Sequence, residues 1–100
     1  MLVLPASSVV DVAKVSEVLG GRQVRMASEP EFASAFPDCE AGAMPPFGNL
    51  YDLPVYVDRA LGRNERIVFQ AGTHTVTMSV AYADFRRLAR PTVADIAMIR

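Results

Sequence analysis

Arg66-Ile67-Val68-Phe69-Gln70-Ala71-Gly72-Thr73-His74-Thr75-Val76-Thr77-Met78-Ser79-Val80 is the stretch that decides the fold class. Val76, Met78 and Val80 alternate with Thr75, Thr77 and Ser79, the period of two that an extended chain imposes on its side chains. Residues 66–71 form a second strand-like run, and Gly72-Thr73-His74 between them has hairpin length. An antiparallel pair is therefore predicted, with the chain's one histidine at its rim.

Helices and short strands are predicted on both sides of this hairpin. Downstream, Tyr82, Phe85, Leu88 and Ala89 share one face of a helix, with Arg86, Arg87 and Arg90 towards its C-terminus, where cations suit the helix dipole, and Pro91 stops it. The apolar tail 92–100 has no assigned element. Upstream, Val55-Tyr56-Val57 reads as a strand ending at Asp58, and 59–64 as a turn or a single helical turn. Leu2-Val3-Leu4 is a short strand stopped by Pro5. Ser8, with Asp11 three residues on, looks like a capped start for a helix running to Leu19, where Gly20-Gly21 ends it. Residues 23–27 read as another short strand. Ser28 then caps a second helix, with Pro30 and Glu31 in its first turn, reaching about Ala35 and closed by Pro37.

Between Phe36 and Pro54 no period of 2 or 3.6 is visible, but turn formers abound: Pro37, Gly42, Pro45, Pro46, Gly48, Asn49 and Pro54. Long irregular stretches in small domains are usually disordered or functional, and Phe36, Met44, Phe47, Leu50 and Tyr51 supply apolar anchors against disorder. Within it, Gly42 and Gly48 permit close backbone approach while Pro45-Pro46 stiffens the path. Such a loop can offer backbone N–H groups to a carbonyl or developing oxyanion, or it can be a rigid crossover; both readings stay open on physics alone.

Composition narrows the chemistry. At 100 residues, 51% apolar and 21% charged, the chain is expected to build one hydrophobic core and one domain spanning 1–100. A formal charge of -1 gives no overall basic surplus for nucleic acid. Lys14 is the only lysine, the remaining positive charges being arginine. Cys39 is the only cysteine, which excludes an internal disulfide and an all-cysteine zinc site. Its neighbours Asp38 and Glu40 disfavour a thiolate, so a Cys39–His74 nucleophile–base pair is not expected. His74 and the carboxylates lack HxH or HExxH spacing, and no phosphate-loop string occurs. No basic leader or membrane-length apolar run is present, so the expected setting is cytoplasmic and away from membranes.

Three blocks taken together are more specific than any single motif. Asp38-Cys39-Glu40-Ala41-Gly42-Ala43-Met44-Pro45-Pro46-Phe47-Gly48, then Leu53-Pro54-Val55-Tyr56-Val57-Asp58, then Ile67-Val68-Phe69-Gln70-Ala71-Gly72-Thr73-His74 resemble, in order and spacing, the YbaK and prolyl-tRNA-synthetase-associated editing-domain family. The resemblance spans nearly the whole chain, including Arg25-Met26-Ala27-Ser28-Glu29.

It implies an α/β fold with a mixed, mostly antiparallel sheet and flanking helices. It also implies hydrolysis of the ester between a wrongly attached amino acid and the 3′ end of tRNA. His74 would be the catalytic residue; Gly42, Met44, Pro45, Pro46, Phe47, Gly48, Asp58, Gly72 and Thr73 would lie around the substrate, Asp58 matching a recurrent aspartate that could serve structure instead. No metal or cofactor is expected. Aminoacyl-tRNA is the expected partner, with an aminoacyl-tRNA synthetase as a further candidate.

Family domains usually carry further elements before the segment equivalent to Leu2-Val3-Leu4, among them a strand bearing an active-site lysine, and Lys14 does not occupy that place. The expectations are a fragment, a site completed by another chain, or a binding module without turnover. Sheet edges left uncovered would favour a homodimer.

Overall fold

The computed structural model describes residues 1–99. It is a mixed α/β structure with three small sheets and three helices. At its centre lies a parallel sheet in which β3 (Tyr56–Asp58) runs between β1 (Leu2–Val3) and β6 (Thr92–Ala94). Alternation along β3 and its flanks sends side chains to both faces. Val55 and Val57 join Leu61, Ile67, Phe85 and Ala89 in one core, while Tyr56 borders a second made of Val15, Ala94 and Ile96.

The predicted hairpin is present as β4 (Arg66–Gln70) and β5 (Thr77–Ala81), antiparallel, with Ile67 opposite Val80 and Phe69 opposite Met78. With β2 (Ser8–Val10) against β7 (Ala97–Ile99), the antiparallel ladders carry more of the pairing than the parallel ones. Only the base of the hairpin is covered. Ile67 is buried, whereas Met78 and Val76 remain 48% and 50% exposed towards the tip. The helix α3 (Tyr82–Ala89) leaves β5 directly and buries Phe85 and Ala89 with Tyr82 half-buried beside them, but Leu88, expected on the same face, is 52% exposed.

Two sequence expectations are corrected. Ser8 does not cap a helix: Ser8–Val10 is β2, because its β-branched Val9 and Val10 find a strand partner in β7, at the other end of the chain. The helix α1 (Val12–Val18) starts later, with Asp11 as its cap accepting the Lys14 backbone N–H at 3.2 Å. Residues 23–27 form no strand and pair with none among the described residues. They are held instead by Val24 in the second core and by the Arg25 guanidinium, which donates to both Glu31 oxygens at 2.8 Å.

The helix α2 (Glu29–Ala35) starts with the expected capping box between Ser28 and Glu31. Arg25 and then the Ser28 backbone N–H hold the Glu31 carboxyl well below the usual carboxylate range. The unassigned tail supplies β6 and β7, Arg100 lying outside the described residues.

Candidate functional site

Four of the five apolar anchors expected in the irregular segment after α2, namely Phe36, Met44, Phe47 and Tyr51, are buried or half-buried, whereas Leu50 is 73% exposed. Phe36 packs on Tyr51 with ring centroids 4.7 Å apart. Phe47 enters the first core, its ring 5.6 Å from Phe69 and 5.8 Å from Phe85 in edge-on arrangements. A short 3₁₀ turn at Gly48–Tyr51 follows, and the Asn49 amide donates to the Leu88 carbonyl at 3.1 Å, tying the loop to the end of α3. Gly48 is buried; a Cβ there would sit 3.1 Å from the Met1 Cβ and 3.2 Å from Val55 Cγ2, so this glycine makes room.

The first part of the loop docks on the hairpin tip. The Glu40 N–H donates to the Gly72 carbonyl at 2.7 Å, and the Gly72 N–H donates to the Ala43 carbonyl at 2.9 Å. Gly42 and Gly72 have φ of +83° and +101°, a region that side chains with a Cβ enter only at a cost, so glycine is needed at both for the segments to close.

His74 completes the contact. Its Nε2 lies 2.8 Å from the Ala41 carbonyl oxygen and 3.8 Å from Glu40 Oε2, and its backbone N–H donates to Glu40 Oε2 at 3.2 Å. A carbonyl can only accept, so Nε2 carries the hydrogen and, in the neutral ring, Nδ1 keeps its lone pair. The ring stands beside Gly42, where a Cβ would lie 3.6 Å from Cε1. Thr73 is half-buried next to it, its hydroxyl 3.4 Å from that of Thr75.

Beside this contact, on the far side of Gly42, opens a large hollow of about 1280 Å³, lined mainly by apolar side chains. Gly42, Met44 and Pro46 reach it, together with Phe32, Phe36, Leu53, Tyr56, Ile67 and Phe69. Among the described residues, no hydrogen bond engages the backbone N–H groups of Gly42, Met44 or Phe47. Gly42 and Met44, which line the hollow, therefore have donors to spare.

Asp58 stands apart from this group. It is 5% exposed, and its Oδ1 accepts the N–H groups of Ile96 at 3.0 Å and Ala97 at 3.1 Å, while Oδ2 accepts that of Ala60 at 3.0 Å. It pins the β6–β7 connection to β3. Lys14 is also committed elsewhere: its ammonium donates to Asp95 at 3.1 Å and to the Ala97 carbonyl at 2.8 Å.

Two features of the site carried no sequence signal. Glu40 is its hub, through both backbone and side chain. Cys39, Tyr51 and Asp38 form a second cluster, with Tyr51 Oη 3.4 Å from Cys39 Sγ and donating to Asp38 Oδ2 at 3.3 Å. These neighbours, Cys39 foremost, push the Tyr51 phenol up to about 12. Among the described residues, no group of three or more His, Cys, Asp or Glu side chains is placed to hold a metal, and no helix is long and apolar enough to cross a membrane.

Known proteins share this architecture. No curated protein matches the chain. Among solved structures, a scaffold protein from computational epitope grafting superposes with a TM-score of 0.85 at 23% identity, and the hypothetical protein APE2540 with 0.83 at 19%. Each covers 97% of this chain, which in turn spans 63% and 65% of their lengths; at such identities the likeness is one of fold. The family model of the aminoacyl-tRNA editing domain matches residues 1–88, a span that holds the docked loop, β3 and the hairpin tip with His74. The chain belongs to the aminoacyl-tRNA editing domain family.

Proposed function

We propose that this chain is an aminoacyl-tRNA deacylase-like trans-editing domain that hydrolyses the ester of mischarged tRNA. The observation that carries the reading is the docking of residues 38–43 on the hairpin tip. It sets a carbonyl-held histidine against Gly42, a residue that lines the apolar hollow together with Met44, both with backbone N–H groups to spare.

An ester carbonyl placed against the loop would find donors for the charge that develops on its oxygen, and preorganised donors of this kind typically contribute most to acyl transfer. Water attacks the carbonyl carbon, the ester C–O bond breaks, and the amino acid leaves as the free acid. The proton taken from water by His74 returns to the ribose oxygen. Gly42, Met44, Pro45, Pro46, Gly72 and Thr73 shape the pocket in this proposal, while Phe47 and Gly48 hold the loop against the core. Asp58 acts on it from a distance, through the fold.

Incubation with a panel of mischarged tRNAs tests the reading. Release above the buffer rate for at least one aminoacyl-tRNA is expected, with a clear loss on His74→Ala; buffer-rate release throughout would leave the deacylase assignment without support.

A second reading is a binding module for the tRNA end that does not turn over, and the placement of Lys14 favours it. The single lysine spends its charge on Asp95 and Ala97, so it supplies no cation to the loop. Saturable binding of uncharged tRNA or a small amino-acid ester without hydrolysis would select this reading; absence of binding to either would dismiss it. A cytoplasmic setting, a synthetase partner and a homodimer belong to the same proposal. Sedimentation equilibrium tests the dimer, and a monomer at every concentration removes it.

A further inference from the structure

We propose that Glu40 is a positioning residue that fixes both the placement and the tautomer of the His74 ring. Its consequence for catalysis rests on the deacylase reading above; its structural content does not.

Glu40 makes three hydrogen bonds here, two to the hairpin tip and one within its own loop. Its N–H is bonded to the Gly72 carbonyl at 2.7 Å, its C=O accepts the Ala43 N–H at 3.0 Å, and its Oε2 accepts the His74 N–H at 3.2 Å. The same oxygen lies 3.8 Å from Nε2, on the side of the ring that already faces the Ala41 carbonyl. A carboxylate and a carbonyl on one nitrogen both favour a hydrogen there. Nδ1 is then the nitrogen left free to take a proton, and the base of the proposed reaction.

The His74 side chain is 52% exposed and so gains little orientation from packing. It stands against the Gly42 backbone, close enough that a methyl group on that glycine would lie 3.6 Å from Cε1. The polar contacts with Glu40 and Ala41 must do the orienting. A ring displaced by about 1 Å can cost on the order of a hundred-fold in rate even when no reacting atom is removed.

Because His74 is the chain's only histidine, NMR of the ring is free of overlap. In protein labelled with ¹⁵N-histidine, long-range ¹H–¹⁵N correlations should show the Nε2–H form, and a cross-relaxation peak should link His74 Hε1 to Gly42 Hα. Glu40→Gln keeps an oxygen for the His74 N–H and should retain both signals. Glu40→Asp keeps the charge but withdraws it by one methylene; it should lose the peak and populate both tautomers, as should Glu40→Ala.

In parallel, kcat for deacylation should fall about ten- to a hundred-fold in the Asp and Ala variants with KM changed less than about three-fold, and recover in Gln. An Nδ1–H ring in the parent, or ring signals unchanged in both folded Asp and Ala variants, overturns the proposal. If Ala unfolds the loop, the Asp variant alone decides. If the parent ring behaves as expected but no mischarged tRNA is hydrolysed, the deacylase reading falls while the positioning role of Glu40 stands.

Discussion

Removing the Asp58 carboxylate should cost this fold more than any other single polar substitution, while leaving the chemistry at the loop alone. Asp58 accepts from Ile96, Ala97 and Ala60, and Ile96 is fully buried at 0% exposure with Ala97 at 8%. In Asp58→Ala the two buried N–H groups lose their partner, at about 1–3 kcal/mol each, and the turn at Arg59–Arg63 loses its cap, at about 1 kcal/mol. A shallow hollow of about 270 Å³ beside Asp58 and Ala97 can admit water to part of the gap. This favours the lower half of the range, about 3–5 kcal/mol.

That is a large share of the roughly 5–15 kcal/mol that holds a domain together. Urea unfolding followed by circular dichroism should show the midpoint falling by about 2 M or unfolding already in buffer. Asp58→Asn keeps one oxygen for Ile96 and Ala97 but presents an NH₂ to the Ala60 N–H, so it should lose only about 1–2 kcal/mol. With both proteins held folded in the cold, kcat and KM of Asp58→Asn should stay within about two-fold of the parent, since no reacting group has moved. An Asp58→Ala protein within about 0.5 kcal/mol of the parent would refute the hydrogen-bond accounting. A large kcat loss in folded Asp58→Asn would place Asp58 at the substrate.

Further outcomes follow from the docked loop and the α2 cap. Gly42→Ala and Gly72→Ala each force a Cβ into positive φ, and each should lower stability by about 1–2 kcal/mol in the same urea assay, with Gly72 at +101° the worse. Tyr51 is held protonated to about 12 by its neighbours, above its ordinary value of 10.0, so its contribution is full below pH 10 and is lost as pH rises through 12. Ultraviolet titration should show one of the three tyrosines ionising late, and Tyr51→Phe should abolish that late step. The Glu31 carboxyl is depressed by Arg25, so its stabilisation is present above the ordinary value of 4.5 and fades as pH falls below it. The difference in thermal midpoint between parent and Glu31→Gln should therefore shrink on acidification, and a constant difference would deny the Arg25–Glu31 pair any role.

What could be read from sequence was what neighbours along the chain decide. Phe85 and Ala89 on one face of α3, the Ser28–Glu31 capping box and the alternation in β5 are all set by contacts within a few residues. Val9-Val10 misled because helix capping at Ser8 is a local signal, whereas the competing strand depends on Ala97–Ile99, some 90 residues away. The same separation hid the role of the tail. For the site, glycines at 42 and 72 were conspicuous, since little else takes positive φ. Nothing in Glu40, by contrast, distinguishes it from any exposed carboxylate until the hairpin folds back and brings His74 within 3.2 Å across 34 residues of chain.

The loop itself divides by the same logic. Phe47 and Gly48 lie in one run with Gly42 and Met44 and resemble them as motif residues, yet they serve the core, one by packing on Phe69 and Phe85 and the other by yielding space to Met1. A motif marks residues that are needed together. Whether each is needed by the substrate or by the fold is decided by what lies against it, and the hydrogen bonds of Gly72, His74 and Glu40 join the loop to the hairpin at the end where we propose the chemistry.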